Sequence, residues 1–130
     1  MVLDKERKTR DYLFGSLLAV ADAMEGYALR KAGEKRQTNA MRSMQRFADR
    51  PSSTWRNLNL ALAPYRSRLP NNGSFYDKAV SEIMDLFEPE DFVSDRRLSG
   101  EFLLGFYTQR ADFYIGKKEE EGEETETQEE

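Results

Sequence analysis

Arg42, Arg46 and Arg50 recur at four-residue steps, the spacing that places side chains on one side of a helix. A guanidinium presents a planar fork of donors, which can hold a phosphate through two parallel hydrogen bonds. The row sits in a strongly basic stretch. From Arg30 to Arg68 there are ten basic residues, opposed only by Glu34 and Asp49, a local charge of +8. Lys35, Arg36, Arg56, Arg66 and Arg68 are second-line candidates for the same work. No base-reading motif accompanies them, so the chemistry they offer is contact with a nucleic-acid backbone. The bland alternatives are a solvated helix face and a surface for an acidic protein neighbour.

Other chemistry is scarce. The 130 residues contain no cysteine and no histidine. That removes disulfides, thiolate and imidazole metal sites, cysteine nucleophiles and any triad with a histidine base. We therefore expect no enzyme, no catalytic residue, no metal and no cofactor. Glu82, Asp85 and Glu88, followed by Glu90 and Asp91, are residues from which an all-oxygen divalent-cation site could be drawn. They have no second cluster beside them and read as a solvated acidic face. Glu82 and Asp85 are the candidates for a protein interface, with the basic side of a second copy of the chain as the expected partner. Trp55, Tyr65, Phe75 and Tyr76 offer stacking surfaces for bases, but core packing suits Trp55 and Tyr65 better.

The net charge of −4 conceals this distribution. Residues 119–130 carry eight glutamates and no basic residue, so residues 1–118 sum to +4, from 20 basic and 16 acidic side chains. From Asp77 to Glu101 the balance is −5. A segment without apolar residues and with adjacent like charges has nothing to bury, and we expect 117–130 to be a disordered acidic tail. Its simplest role is solubility; a sharper one is weak competition with nucleic acid for the basic surface. No apolar run approaches the ~20 residues of a membrane helix, and the first residues lack the apolar core of a signal peptide. The expectation is a cytoplasmic protein with no membrane partner.

The elements that must position the arginines are helical. Leu13, Leu17, Val20, Ala21, Met24, Ala28 and Leu29 mark a long helix from about Asp4 to Lys31, ended by Gly33. Gly15 and Gly26 inside it mark close approaches by other helices. A second helix spans about Thr38 to Arg50, with Met41, Met44, Phe47 and Ala48 inward. A third follows Pro51, with candidate caps in Ser52, Ser53 and Thr54, and Pro64 should kink or divide it. Pro70 to Gly73 is a turn; Ser74 caps a fourth helix that ends before Pro89. A short acidic loop leads to a last helix opened by Ser94 or Asp95, carrying Leu98, Phe102, Leu103, Phe106, Gln109 and Phe113. The expected fold is all-α, a single five-helix bundle with short loops over residues 1–116.

Three strings resemble a known family. Asp11 to Val20 (DYLFGSLLAV) resembles the "YLxGRLLAV" segment of the large subunit of the type I-C CRISPR surveillance complex, Cascade. Arg46 to Pro51 (RFADRP) with Thr54 and Trp55 is similar to its "FxxxP" and following turn, and Leu98 to Arg110 (LSGEFLLGFYTQR) to its terminal "LxGxFxLGYYxQR" signature. The last block is the specific one. The large subunit ends in a helical bundle of this size, and the same segment is also made separately, from an internal start, as the small subunit. A chain beginning at Met1 with only this bundle looks like that small subunit. The resemblance implies a non-catalytic protein of antiviral defence in a ribonucleoprotein complex, with the large and backbone subunits as partners. It would brace the assembly and help hold the guide RNA–target DNA R-loop, chiefly the displaced non-target single strand. Where the family commonly has a basic residue after the first glycine, this chain has Ser16, so no contact is carried over to that position. The competing reading is a pure assembly spacer whose charged faces meet neighbouring subunits and not nucleic acid.

Overall fold

The computed structural model describes residues 9–112. The helices run in the order α1 (Arg10–Lys31), α2 (Asn39–Arg42), α3 (Met44–Asp49), α4 (Pro51–Arg66), a 3-10 turn (Pro70–Gly73), α5 (Ser74–Met84) and α6 (Pro89–Val93). A further helix, α7, covers residues 101–112. The described residues contain no strand, so the all-α class stands. The expected tail 117–130 and Phe113 lie outside them.

α1 is the central helix. Thr9 caps it, its hydroxyl accepting from the Tyr12 N–H, and an unbroken run from Tyr12 to Ala21 is buried. A helix buried on all sides must be enclosed by others; α2, α4, α5 and α7 surround it. Its end is the expected left-handed glycine. Gly33 has φ 73°, its N–H reaches the Arg30 carbonyl, and the Glu34 N–H reaches the Leu29 carbonyl at 2.9 Å. Phe14 anchors the core. Its ring lies 4.9 Å from Phe87, 5.8 Å from Phe92 and 5.9 Å from Phe47, which in turn stacks on Phe102.

Gly15 and Gly105 set the α1–α7 crossing. A Cβ on Gly15 would fall 1.9 Å from the Phe102 carbonyl oxygen, and one on Gly105 would fall 2.0 Å from that of Tyr12. The two backbones touch directly. Gly26 differs from the expectation: a Cβ there meets only the end of the Arg30 side chain at 3.4 Å, so no helix approaches it.

The five-helix count needs correction. The segment expected as one helix from Thr38 to Arg50 is divided at Ser43, whose N–H is shared between the Asn39 and Ala40 carbonyls. Pro64 neither ends nor divides α4, which continues to Arg66; it stands two residues from the helix end. Ser74 is the first residue of α5 and not its cap, which is Gly73 at φ 79°. The acidic loop contains α6, with Pro89 at its first turn, where proline fits. The last helix starts at 101 and not at Ser94 or Asp95. The buried Arg10 explains this: its guanidinium donates to the Asp91, Ser94 and Arg96 carbonyls, and the Leu98 N–H is held by the Ala48 carbonyl at 2.8 Å. These bonds hold the segment from Ser94 to Leu98 against α1 and α3, with Ser94 in an extended conformation in place of a helical one.

The crossing gives a sharp expectation. Gly15→Ala or Gly105→Ala forces the helices apart and should cost more than about 3 kcal/mol. Gly26→Ala, in the same helix but with space, should stabilise by roughly 0.5–1 kcal/mol. Urea denaturation of the three variants checks both signs.

Candidate nucleic-acid interface

Arg42 lies at the end of α2, Arg46 in α3, and Arg50 between α3 and α4; all three are exposed. Backbone hydrogen bonds carry the helical path through the division. Ser43 N–H reaches Asn39 O, Phe47 N–H reaches Ser43 O at 2.7 Å, and Arg50 N–H reaches Arg46 O at 2.9 Å. The row therefore remains on one helical track, away from buried Phe47. Among the described residues no carboxylate lies within ion-pair distance of the three, although Arg50 is near enough to help hold the Asp95 carboxyl down; Arg42 donates to its neighbour Asn39.

The second-line residues divide into two sets. Lys35, Arg56 and Arg68 are exposed, Arg56 resting on the Ser52 carbonyl and hydroxyl and Arg68 over the Tyr65 ring. Arg36 and Arg66 have internal work. Arg36 lies 3.3 Å from Glu25, 3.9 Å from Glu34 and also donates to the Tyr65 hydroxyl. Arg66 pairs with Asp77 at 2.6 Å. Trp55 is in the core, Tyr65 sits between Arg36 and Arg68, and Phe75 is 62% exposed. Glu82 and Asp85 are both exposed at the C-terminal end of α5. Ser16 is fully buried, its hydroxyl returned to the Tyr12 carbonyl.

The acids that hold this surface in place were not singled out by sequence. Glu25 of α1, fully buried, accepts from the Asn39 N–H at 2.7 Å and the Ala40 N–H at 3.2 Å, which are otherwise orphan donors of the first turn of α2. Thr38 caps the same turn and donates to Asp22 at 2.6 Å. A glutamate among Ala21, Ala28 and Leu29, one turn either side on the same stripe, was the available signal. α4 lacks a side-chain cap of its own. Asp95 provides one from 42 residues away, accepting from the Ser53 N–H at 3.0 Å and from its hydroxyl. The Ser53 hydroxyl and N–H hold the Asp95 carboxyl below its ordinary value, against a smaller opposing effect of burial. Asp11 is the counterpart for the start of α7. Burial pushes it up, but the Ser99 N–H at 2.8 Å, the Ser99 hydroxyl and Arg10 together bring it below its ordinary value.

Asp49, one of only two acids in the basic stretch, is answered by Arg97 at 3.1 Å. The other, Glu34, faces Arg36. Neither quenches the row. The described residues contain no group of three or more acids placed to hold a metal ion, and no helix among them is long and apolar enough to cross a membrane.

The described residues thus define an all-α protein whose arginine row stands clear of a core built on one central helix. Its sequence matches the profile of a CRISPR-associated protein family, Cas_Csd1, over residues 1–114. The chain belongs to that family. No curated protein and no solved structure matches it.

Asp95→Ala should destabilise the fold by about 1–2 kcal/mol, as loss of a helix cap does. The contribution is complete above the ordinary carboxylate range, near pH 4, and is lost as pH falls through the lower folded value. Denaturant midpoints from pH 7 to pH 2 should converge for wild type and Asp95→Asn at the acid end and separate at neutral pH.

Proposed function

We propose that this chain is a non-catalytic small subunit of a type I-C CRISPR surveillance complex, bracing the assembly and stabilising the R-loop by sequence-independent contacts to DNA. The carrying observation is the exposed row Arg42, Arg46 and Arg50, outside ion-pair distance of any carboxylate among the described residues. Family membership supplies the setting. In an RNA-guided complex base pairing reads sequence, so the proteins need only backbone contacts in a positive channel. The displaced non-target strand is a flexible polyanion, and a fixed row of guanidinium groups lowers its free energy whatever its bases. Lys35, Arg56 and Arg68 extend the surface. Partners on this reading are the large and backbone subunits, the guide RNA–target DNA R-loop, and a second copy of the chain.

Weak contacts repeated along one strand add through effective concentration. Each phosphate engaged on a single strand contributes about −0.7 to the slope of log affinity against log salt. Arg42→Glu with Arg46→Glu should leave the denaturation midpoint almost unchanged, because both side chains are exposed. It should shorten R-loop lifetime in the assembled complex and reduce the salt slope by about 1.4 per copy. An unaltered lifetime in a fully assembled mutant complex removes these residues from the interface.

The assembly-spacer reading rests on Glu82 and Asp85, exposed at one end of α5. Salt-sensitive self-association, abolished by Glu82→Lys with Asp85→Lys and indifferent to the arginine pair, favours it.

A further inference from the structure

Tyr65 has two guanidinium groups against one ring. Arg36 lies 5.7 Å and Arg68 5.3 Å from its centroid. We infer that Arg68 and Tyr65 form a further phosphate-binding subsite for single-stranded nucleic acid, in which Arg68 takes the phosphate and Tyr65 is the positioning residue that holds the guanidinium in place. The inference deepens the nucleic-acid reading and rests on it.

The two arginines are used differently. Arg36 is committed inward. It reaches the fully buried Glu25 at 3.3 Å, donates to the Gln37 carbonyl at 3.1 Å, and donates to the Tyr65 hydroxyl. That last bond ties down the hydroxyl end of a half-buried ring. Arg68 is exposed and lies just past the end of α4. Its backbone N–H bonds the Tyr65 carbonyl at 3.1 Å while its guanidinium lies over the Tyr65 ring, so two separate contacts hold it to one residue. No side chain or carbonyl of the described residues accepts a hydrogen bond from that guanidinium.

This is the arrangement a phosphodiester needs. Cation–π attraction leaves N–H donors for an oxyanion, and a planar fork matches the two non-bridging oxygens. An arginine that rests on a ring also loses less rotamer freedom when it closes on a phosphate. The gain should be about 2- to 5-fold in affinity, the value of an exposed cation–π contact. The subsite is linked to the arginine row through Glu25. Its Oε2 accepts from Arg36 and from the Asn39 N–H that opens α2, the helix that ends in Arg42. One buried carboxylate thus sets the Tyr65 ring and the start of the row in a common frame.

The test uses full-length chains and a 20-residue thymidine oligonucleotide, with affinity measured over a salt series. Arg68→Gln removes a charge and should lower the slope of log affinity against log salt by about 0.7. Arg68→Lys and Tyr65→Leu keep every charge; each should weaken binding about 2- to 5-fold with the slope unchanged. Tyr65→Phe keeps the ring and should stay within about 2-fold of wild type. The NMR signal of the Arg68 Nε–Hε group reports the stacking itself. It should move when oligonucleotide is added, and move in Tyr65→Leu without oligonucleotide. Binding that ignores Arg68→Gln in strength and slope overturns the subsite and leaves the arginine row standing. A slope lowered by Arg68→Gln, with Arg68→Lys and Tyr65→Leu both binding as wild type, overturns the positioning role. Failure of every chain to bind overturns the nucleic-acid reading and the inference together. Should Tyr65→Leu fail to fold, exposed Arg68→Lys and the Arg68 signal still decide the outcome.

Discussion

The fold depends on a place where two helices touch through their backbones. At Gly15 and Gly105 the α1–α7 crossing has no room for a methyl group on either side. That approach brings Phe102 and Phe106 into the core, sets Phe102 on Phe47, and lets Phe47 meet Phe14. Since α3 is carried by Phe47, the position of Arg46 relative to the core is fixed by two glycines that are not near it in sequence. A close crossing also exposes little surface to solvent, so large side chains beside it are enclosed on all sides, as Leu17 and Leu18 are.

Around that crossing, charged groups close what helices leave open. Short helices have a high proportion of orphan backbone groups, and a body built from several of them must answer each with a side chain. The chain does this with acids and one arginine. Glu25 serves α2, Asp95 serves α4, Asp11 serves the entry to α7, and Arg10 holds one carbonyl of α6 and two of the segment between α6 and α7. Burying an ion is costly unless its hydrogen bonds are complete, and Glu25 and Arg10 both meet that condition. One consequence is functional. Glu25 also pairs with Arg36, and Arg50 acts on Asp95, so the capping acids offset part of the basic stretch, while Arg42 and Arg46 stay outside ion-pair distance of any carboxylate among the described residues.

Much of this was legible in the residues and some was not. The apolar stripe of α1, its glycine terminus, the turn at Pro70–Gly73 and the inward faces of Phe47, Phe102 and Phe106 follow from helical periodicity and backbone preference, which are local. The tight crossing was readable from Gly15, because glycine inside a helix costs stability that some contact must offset; the same argument failed at Gly26, where no contact exists. The late start of α7 was hidden, since the segment before it is held by tertiary hydrogen bonds from Arg10 and to the Ala48 carbonyl. The exposed row Arg42, Arg46 and Arg50 was visible as a spacing. The engagement of Arg36 and Arg66 was not, because Glu25 and Asp77 reach them only in the folded chain.

On the proposed reading the chain holds displaced DNA through phosphate contacts. That reading is tested most directly by assembling the surveillance complex with and without the chain and following R-loop lifetime on a matched duplex over a salt series. The account predicts that omission leaves the remaining subunits assembled, shortens the lifetime, and flattens the salt slope by about 2 to 4, the value for three to six lost phosphate contacts on a single strand. An R-loop of unchanged lifetime and slope would contradict it.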